Sequence, residues 1–161
     1  MYKEDDIKIR EAQESDADLY FDWVNDEAVR ENSFVSEAVL YENHLEWFRT
    51  RLSDSYTFMY VFEIDDLPVG QVRFERGKIT LIDISLDREF RGKGLGSLII
   101  SLAVKRYFKQ SGDNNPVTAY IKSGNAPSVL AFARAGFYDL GEDIVNGIRC
   151  RKLQFYNSPN S

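Results

Sequence analysis

Cysteine is nearly missing from this chain of 161 residues, with Cys150 its single representative. A lone thiol excludes any intramolecular disulfide, and nothing in the cysteine usage points to an oxidising compartment. Long apolar runs are missing too: no stretch approaches the roughly 20 residues that span a bilayer. The opening Met1-Tyr2-Lys3-Glu4-Asp5-Asp6 is charged and has no apolar centre of the signal-peptide kind, so a cytoplasmic location without a membrane partner is expected. Positive charge is scarce, with 20 Lys and Arg against 26 Asp and Glu and a net charge of -6. That balance argues against non-selective binding to nucleic acid or to an anionic membrane, where many phosphates would need neutralising, but it leaves room for one local basic pocket. Internal repeats and low-complexity segments are likewise lacking.

What is present is enough for one core. A hydrophobic content of 43% with 14% aromatics over this length predicts a single domain over 1–157, with 158–161 read as a frayed tail. Ile7 to Arg10 reads as a short strand, and Ser15-Asp16-Ala17-Asp18 as a capping box for a helix carrying Leu19, Tyr20, Trp23 and Val24. Tyr41, His44, Leu45, Phe48 and Leu52 recur at helical offsets, which predicts a helix from about Leu40 to Ser53. Thr57 to Ile64 is apolar on nearly every residue, as in a strand covered on both faces. Asp65-Asp66 turns it into a strand over Val69 to Glu75, which a short link near Gly77 joins to another over Ile79 to Leu86.

A helix with Leu95, Leu98, Ile99, Leu102 and Arg106 in step then leads to a strand over Val117 to Ile121. Strand, crossover helix, strand makes the two strands parallel and puts the intervening loop at the carboxyl end of the first, where ligands of α/β sheets collect. Asn125 is positioned to cap a further helix with Pro127 in its first turn and Gly136 at its end. Asn146-Gly147 marks a final hairpin.

The loop itself is Arg91-Gly92-Lys93-Gly94-Leu95-Gly96-Ser97. Alternate glycines permit a sharp bend and open the backbone N–H groups to a ligand, and the following helix directs its partial positive end to the same place. With Arg91 and Lys93 added, the expected guest is a phosphate or pyrophosphate. A dinucleotide loop requires its third glycine one position later, and a P-loop requires Lys then Ser or Thr after the last glycine, so neither fits. A turn that merely joins strand to helix has no use for three glycines interleaved with two cations.

Arg91-x-x-Gly94-x-Gly96, with Asn125 and Phe132-Ala133-Arg134-Ala135-Gly136-Phe137 downstream, resembles the GCN5-related N-acetyltransferase superfamily. The element order is similar along nearly the whole chain, and Asp83 to Phe137 carries the specific motifs. The resemblance implies an α/β (α+β) fold: a mixed, largely antiparallel sheet of about seven strands flanked by helices, with a central βαβ unit whose parallel strands splay. It implies acetyl-coenzyme A as acyl donor and no metal. Arg91, Gly92, Lys93, Gly94, Leu95, Gly96 and Ser97 would hold the pyrophosphate. Ile84, Ser85 and Leu86 would offer backbone groups to pantetheine, and Asn125 and Phe132 would border the cofactor.

Acyl transfer to an amine requires loss of an ammonium proton, stabilisation of the carbonyl oxygen and departure of a thiolate. Asp83, in an otherwise apolar strand and eight residues before Arg91, is the expected base, directly or through water; an ion-paired surface carboxylate is the alternative. Period two groups Asp83 with Leu81 and Ser85, opposite Ile82, Ile84 and Leu86. Many relatives carry tyrosine where this chain has Phe132, so Tyr120 and Tyr138 are the candidate acids, unless the thiolate leaves unaided.

Phe21 to Asp26 and Glu42 to Phe48 are similar to segments of the amino-sugar nucleotide N-acetyltransferases of the pseudaminic-acid pathway. The expected acceptor contacts are Trp23, Asn25, Arg30, His44 and Gln71, with Arg30, Arg49 and Arg51 available to a second pyrophosphate. For Trp23, His44, Trp47 and Phe48 ordinary core packing is the competing reading. The resulting expectation is an acetyl-coenzyme A dependent N-acetyltransferase acting on a small primary amine, specifically that of a nucleotide-linked amino sugar, as a monomer or homodimer. A protein N-terminus or another small amine is the alternative acceptor, and a non-catalytic acyl-coenzyme A binding module the alternative class.

Overall fold

Alternation along Thr57–Ile64 decides how the layers stack. Tyr60, Phe62 and Ile64 enter one buried cluster and Met59 and Val61 another, so this strand is covered on both faces, as its sequence predicts. The structure, a computed structural model, describes residues 1–158. Pro159, Asn160 and Ser161, most of the expected tail, lie outside the described residues. The strands are β1 (Lys8–Glu11), β2 (Thr57–Ile64), β3 (Leu67–Glu75), β4 (Thr80–Leu86), β5 (Val117–Lys122), β6 (Tyr138–Val145) and β7 (Ile148–Phe155). They form one seven-stranded sheet in the order β1-β2-β3-β4-β5-β7-β6, antiparallel throughout except for β4 and β5.

Helices α1 (Ala17–Val24), α2 (Glu27–Asn32), α3 (Tyr41–Ser53), α4 (Leu95–Ser111) and α5 (Ala126–Arg134) complete the fold. Ala17, Tyr20 and Trp23 of α1 and Phe48 of α3 close the cluster over Met59 and Val61. Leu95, Ile99, Ile100, Ala103, Val104 and Tyr107 of α4 cover the opposite face. The buried stripe of α4 is therefore rotated from the expected one: Leu98 and Leu102 lie on its flank, and Arg106 is exposed.

Turn chemistry follows the sequence closely. Asp65 and Asp66 take φ of 51° and 63°, and Asn146 and Gly147 take 51° and 75°, the left-handed pairs that tight hairpins demand. At Gly136, φ is 100° after α5. The capping box expected at Ser15 to Asp18 lies further back. Asp16 Oδ2 accepts from the Gln13 N–H at 2.7 Å, and both Asp16 oxygens take the Arg10 guanidinium at 2.8 Å. Burial works to raise the Asp16 pKa, but the Arg10 and Gln13 bonds outweigh it and hold the carboxyl below its ordinary range. α2 has no counterpart in the sequence reading, because it buries no residue and so leaves no apolar period to detect.

Asp113 ties the far end of α4 to the start of β4. Its carboxylate accepts from the Tyr107 hydroxyl at 2.7 Å, from the Thr80 hydroxyl at 3.0 Å and from the Asn115 N–H at 3.0 Å. Burial works to raise the Asp113 pKa and these bonds prevail, so it lies below the ordinary carboxylate value, while burial and Asp113 push Tyr107 up to about 12. Asp113→Asn is expected to cost about 1–3 kcal/mol in denaturant melts at neutral pH. Because the folded pKa is depressed, the wild-type advantage is present above the ordinary carboxylate value of 3.8 and is lost as pH falls through the folded one. The gap between the two proteins should narrow accordingly on acidification.

Candidate active site

The parallel ladder is short. It joins Thr80 to Val117 and Leu81 to Thr118, and from Ile82 onward the edge of β4 that faces β5 has no strand partner. On its other edge β4 stays paired to β3 as far as Leu86, opposite Gly70. A Cβ on Gly70 would lie 2.7 Å from the Ser85 carbonyl oxygen, so glycine there permits the close approach of the two strands. Ile84, Ser85 and Leu86 thus lie on a stretch of β4 with one edge unpaired by β5. The Leu86 carbonyl is already engaged, accepting from Arg91 Nε at 3.2 Å and Nη2 at 3.0 Å.

Beyond β4, the chain bends through Gly92 and Gly94, with φ of 72° and 76°, into α4. Both glycines are exposed, and a Cβ on either would meet nothing within 4 Å. Gly96 serves packing instead: its Cβ would stand 3.2 Å from that of Ala131 on α5. No side chain caps α4, and no acidic residue occupies its first turn. The first N–H groups of a long helix are therefore left to an outside acceptor. Lys93 Nζ lies 5.4 Å from the Phe90 ring centroid. Leu95 is buried in the core, and Asn125 caps α5 by accepting from the Ser128 N–H at 3.4 Å. Phe132 is 2% exposed and meets Phe137 edge to face, so it packs in the core beneath the loop.

Asp83 and Tyr120 line one open cleft of about 210 Å³, together with Phe34, Arg73, Glu75, Leu81, Ile82 and Val145. The Asp83 side chain is 53% exposed. Gln71, itself buried, donates through Nε2 to Asp83 Oδ2 and to Ser85 Oγ, both at 3.2 Å. Arg73 Nη1 lies 3.7 Å from Asp83 Oδ2, and Arg73 Nε 3.4 Å from Glu75 Oε1. Tyr138 is elsewhere: it is 65% exposed on β6, beside Tyr156, away from the residues that line this cleft.

The other expected acceptor contacts have their polar atoms committed within the chain. Trp23 is buried and its Nε1 donates to Asp87 Oδ2 at 3.1 Å. His44, 2% exposed among Phe21, Trp47 and Phe48, directs Nε2 to the Ala17 carbonyl at 2.9 Å. Asn25 exchanges two bonds with the Val39 backbone, each 2.8 Å. Arg30 holds the carbonyls of Val24, Val35 and Glu37 and the Ser33 hydroxyl. Arg49 faces Glu14 and Arg51 faces Glu75. Arg30 is thus committed to backbone carbonyls, whereas Arg49 and Arg51 make only ion pairs, the Arg49 side chain being 58% exposed.

A family model described as the acetyltransferase (GNAT) domain matches residues 6–138. The chain belongs to this family. Solved GNAT-like structures agree in fold. An aminoglycoside acetyltransferase, AAC(6')-Ib, in complex with ribostamycin and coenzyme A superposes with a TM-score of 0.81 at 17% identity, covering 94% of this chain and 93% of that one. A spermidine N-acetyltransferase from Vibrio cholerae, with coenzyme A and spermine, gives 0.82 at 15% identity, with 94% and 96% covered. The ribosomal alpha-N-protein acetyltransferase RimL with coenzyme A gives 0.79 at 16%, with 93% of each covered. No curated protein matches the chain in a sequence search.

Arg73, Glu75, Phe34 and Val145 are the cleft residues that sequence reasoning missed. Gln71, Arg73 and Glu75 alternate on β3, opposite Ser85, Asp83 and Leu81, so a polar period of two on a mostly buried strand is the signal that would have found the first two. Phe34 comes from the 33–39 segment, whose shape depends on Asn25 and Arg30. Asn25→Ala removes both bonds to Val39 and is expected to loosen that segment by about 1–2 kcal/mol, read as faster amide exchange over 33–39 with α4 unchanged.

Proposed function

We propose that this GNAT chain transfers the acetyl group of acetyl-coenzyme A to a small primary amine, with Asp83 as the base. The observation that carries the reading is that one strand, β4, presents Asp83 to an open cleft, a free backbone edge just beyond it, and the uncapped glycine loop at its end. The residues present suit the cofactor. Open glycines and first-turn N–H groups match a pyrophosphate, the free edge over Ile84 to Leu86 matches an amide-bearing arm, and Asn125 stands at the neighbouring helix start.

When bound, acetyl-coenzyme A supplies an activated thioester carbonyl. Asp83 takes the proton that the incoming ammonium must lose before its lone pair is available. Unpaired backbone N–H groups of β4 donate to the carbonyl oxygen as it gains charge. Gln71 and Arg73 fix the carboxylate from below. Tyr120, facing the same cleft, is the hydroxyl that donates a proton to the departing sulfur, since Phe132 has none to give. A thiol of pKa about 8.5 is a tolerable leaving group near neutrality, so this assistance is a modest share of the rate.

Glu75 and Asp83 flanked by Phe34, Leu81 and Val145 favour an acceptor that is a cation with an apolar body. Arg73, which lines the cleft although Asp83 and Glu75 already pair with it, keeps the nucleotide-linked amino sugar as the second reading, because a phosphate could share its guanidinium. Released thiol, followed with acetyl-coenzyme A and a panel of polyamines, aminoglycosides, peptides and amino-sugar nucleotides, separates the two. Turnover confined to the sugar nucleotides overturns the first reading, and no turnover of any amine leaves a binding module. Asp83→Asn is expected to lower turnover by about 10²-fold or more, and an unchanged rate would remove Asp83 from the chemistry. Gly94→Trp, which fills the anion cradle, is expected to abolish the rise in melting temperature produced by coenzyme A.

A further inference from the structure

The glycine loop and the acceptor cleft are joined by a continuous series of polar contacts. Arg91 Nη2 donates to Asp26 Oδ1 at 2.8 Å across 65 positions of sequence, while Arg91 also holds the Leu86 carbonyl. The same Asp26 oxygen caps α2, accepting from the Ala28 and Val29 N–H groups at 3.0 and 3.3 Å. From that helix and its approach, Arg30 and Asn25 fasten the 33–39 segment at Val35, Glu37 and Val39. Phe34 in that segment is a wall of the cleft that contains Asp83. The Arg91 and Asp26 side chains are 33% and 16% exposed, so the pair is partly withdrawn from water and less screened than a surface ion pair. Burial works to raise the Asp26 pKa, but Arg91 and the backbone donors outweigh it and keep the carboxylate ionised.

We propose that Asp26 is a positioning residue through which occupancy of the glycine loop sets the Phe34 wall of the acceptor cleft. This rests on assigning the loop to the pyrophosphate of coenzyme A. Arg91 Nη1 makes no hydrogen bond among the described residues, so an anion in the loop can engage it while the contacts to Asp26 and Leu86 persist. A guanidinium already held by Asp26 loses less rotamer freedom when the anion arrives. By reciprocity the anion firms the Arg91–Asp26 bond, and with it the start of α2 and the segment that α2 ties down. The acceptor wall is then best formed when the acyl donor is in place.

Amide exchange with coenzyme A as the probe tests this directly. In the wild-type protein coenzyme A should slow exchange over 92–98 and also, by about 5-fold or more, over 27–39. Asp26→Asn keeps a capping acceptor of the same size and removes the charge, so protection over 92–98 should remain while the effect on 27–39 is lost. Asp26→Ser, a second variant that retains the cap, should behave alike. A residue that only capped α2 would alter exchange over 27–39 equally with and without coenzyme A. Equal protection of 27–39 in wild type and variants, or none in wild type while 92–98 is protected, overturns the coupling and leaves the cofactor assignment standing. No protection at 92–98 overturns both.

Discussion

Two pairs of residues, Thr80 with Val117 and Leu81 with Thr118, are all that bind the centre of the sheet together in parallel, and the proposed site is built around the parting that follows them. Parallel strands tolerate such an ending only if something else fills the space and something else satisfies the backbone. On one side the antiparallel bonds to β3 keep β4 rigid up to Leu86. On the other, the buried Leu95 and Phe132 anchor the starts and ends of the crossing helices, and Gly96 lets α4 lie close to Ala131. The gap is therefore a product of firm surroundings, and its free N–H and C=O groups are held where a ligand can reach them.

Polarity on the cleft side of β3 and β4 has the same origin. Gln71, Arg73 and Glu75 would be poor choices for a strand between two apolar layers, but here they face Ser85, Asp83 and Leu81, at and just beyond the end of the parallel ladder. Arg73 also lies 4.9 Å from the Trp47 ring centroid, so an aromatic face as well as two carboxylates fixes the guanidinium. Asp83, the proposed base, is thus embedded in neighbours of both signs. Its geometry is set by β-pairing and not by a mobile loop, which is the arrangement that precise proton transfer calls for.

Elements with strong periods or strong turn chemistry were legible from the residues: β2 to its ends, the Asn146-Gly147 hairpin, α3 within a residue, and the crossover that makes β4 and β5 parallel. The bend into α4 was legible because glycines at alternate positions suit the positive φ that Gly92 and Gly94 adopt. Side-chain commitments were not, since they depend on partners far away in sequence. Arg30 looks like a free cation until the carbonyls of Val35 and Glu37 fold back onto it, and Asn25 like a recognition residue until Val39 pairs with it. Asp26, proposed to join the two halves of the site, stands just ahead of a helix without a buried face, and its partner lies on another element. Tyr120 and Tyr138 are indistinguishable in the sequence, and it is the folded sheet that separates them: Tyr120 lines the cleft, and Tyr138 stands at the end of β6 opposite to the one, at Val145, that reaches it.

Cys150 sits on β7 opposite Lys122, wholly buried, and burial together with Asp143 pushes its thiol pKa up. A buried thiol held in its protonated form is a poor nucleophile and a poor target for alkylating dyes. The natural protein is thus already blank for sulfur-directed labelling. A single cysteine placed on any exposed segment would carry a spin label or fluorophore with no competing site, and the motions of the acceptor side can be followed in the chain as nature made it.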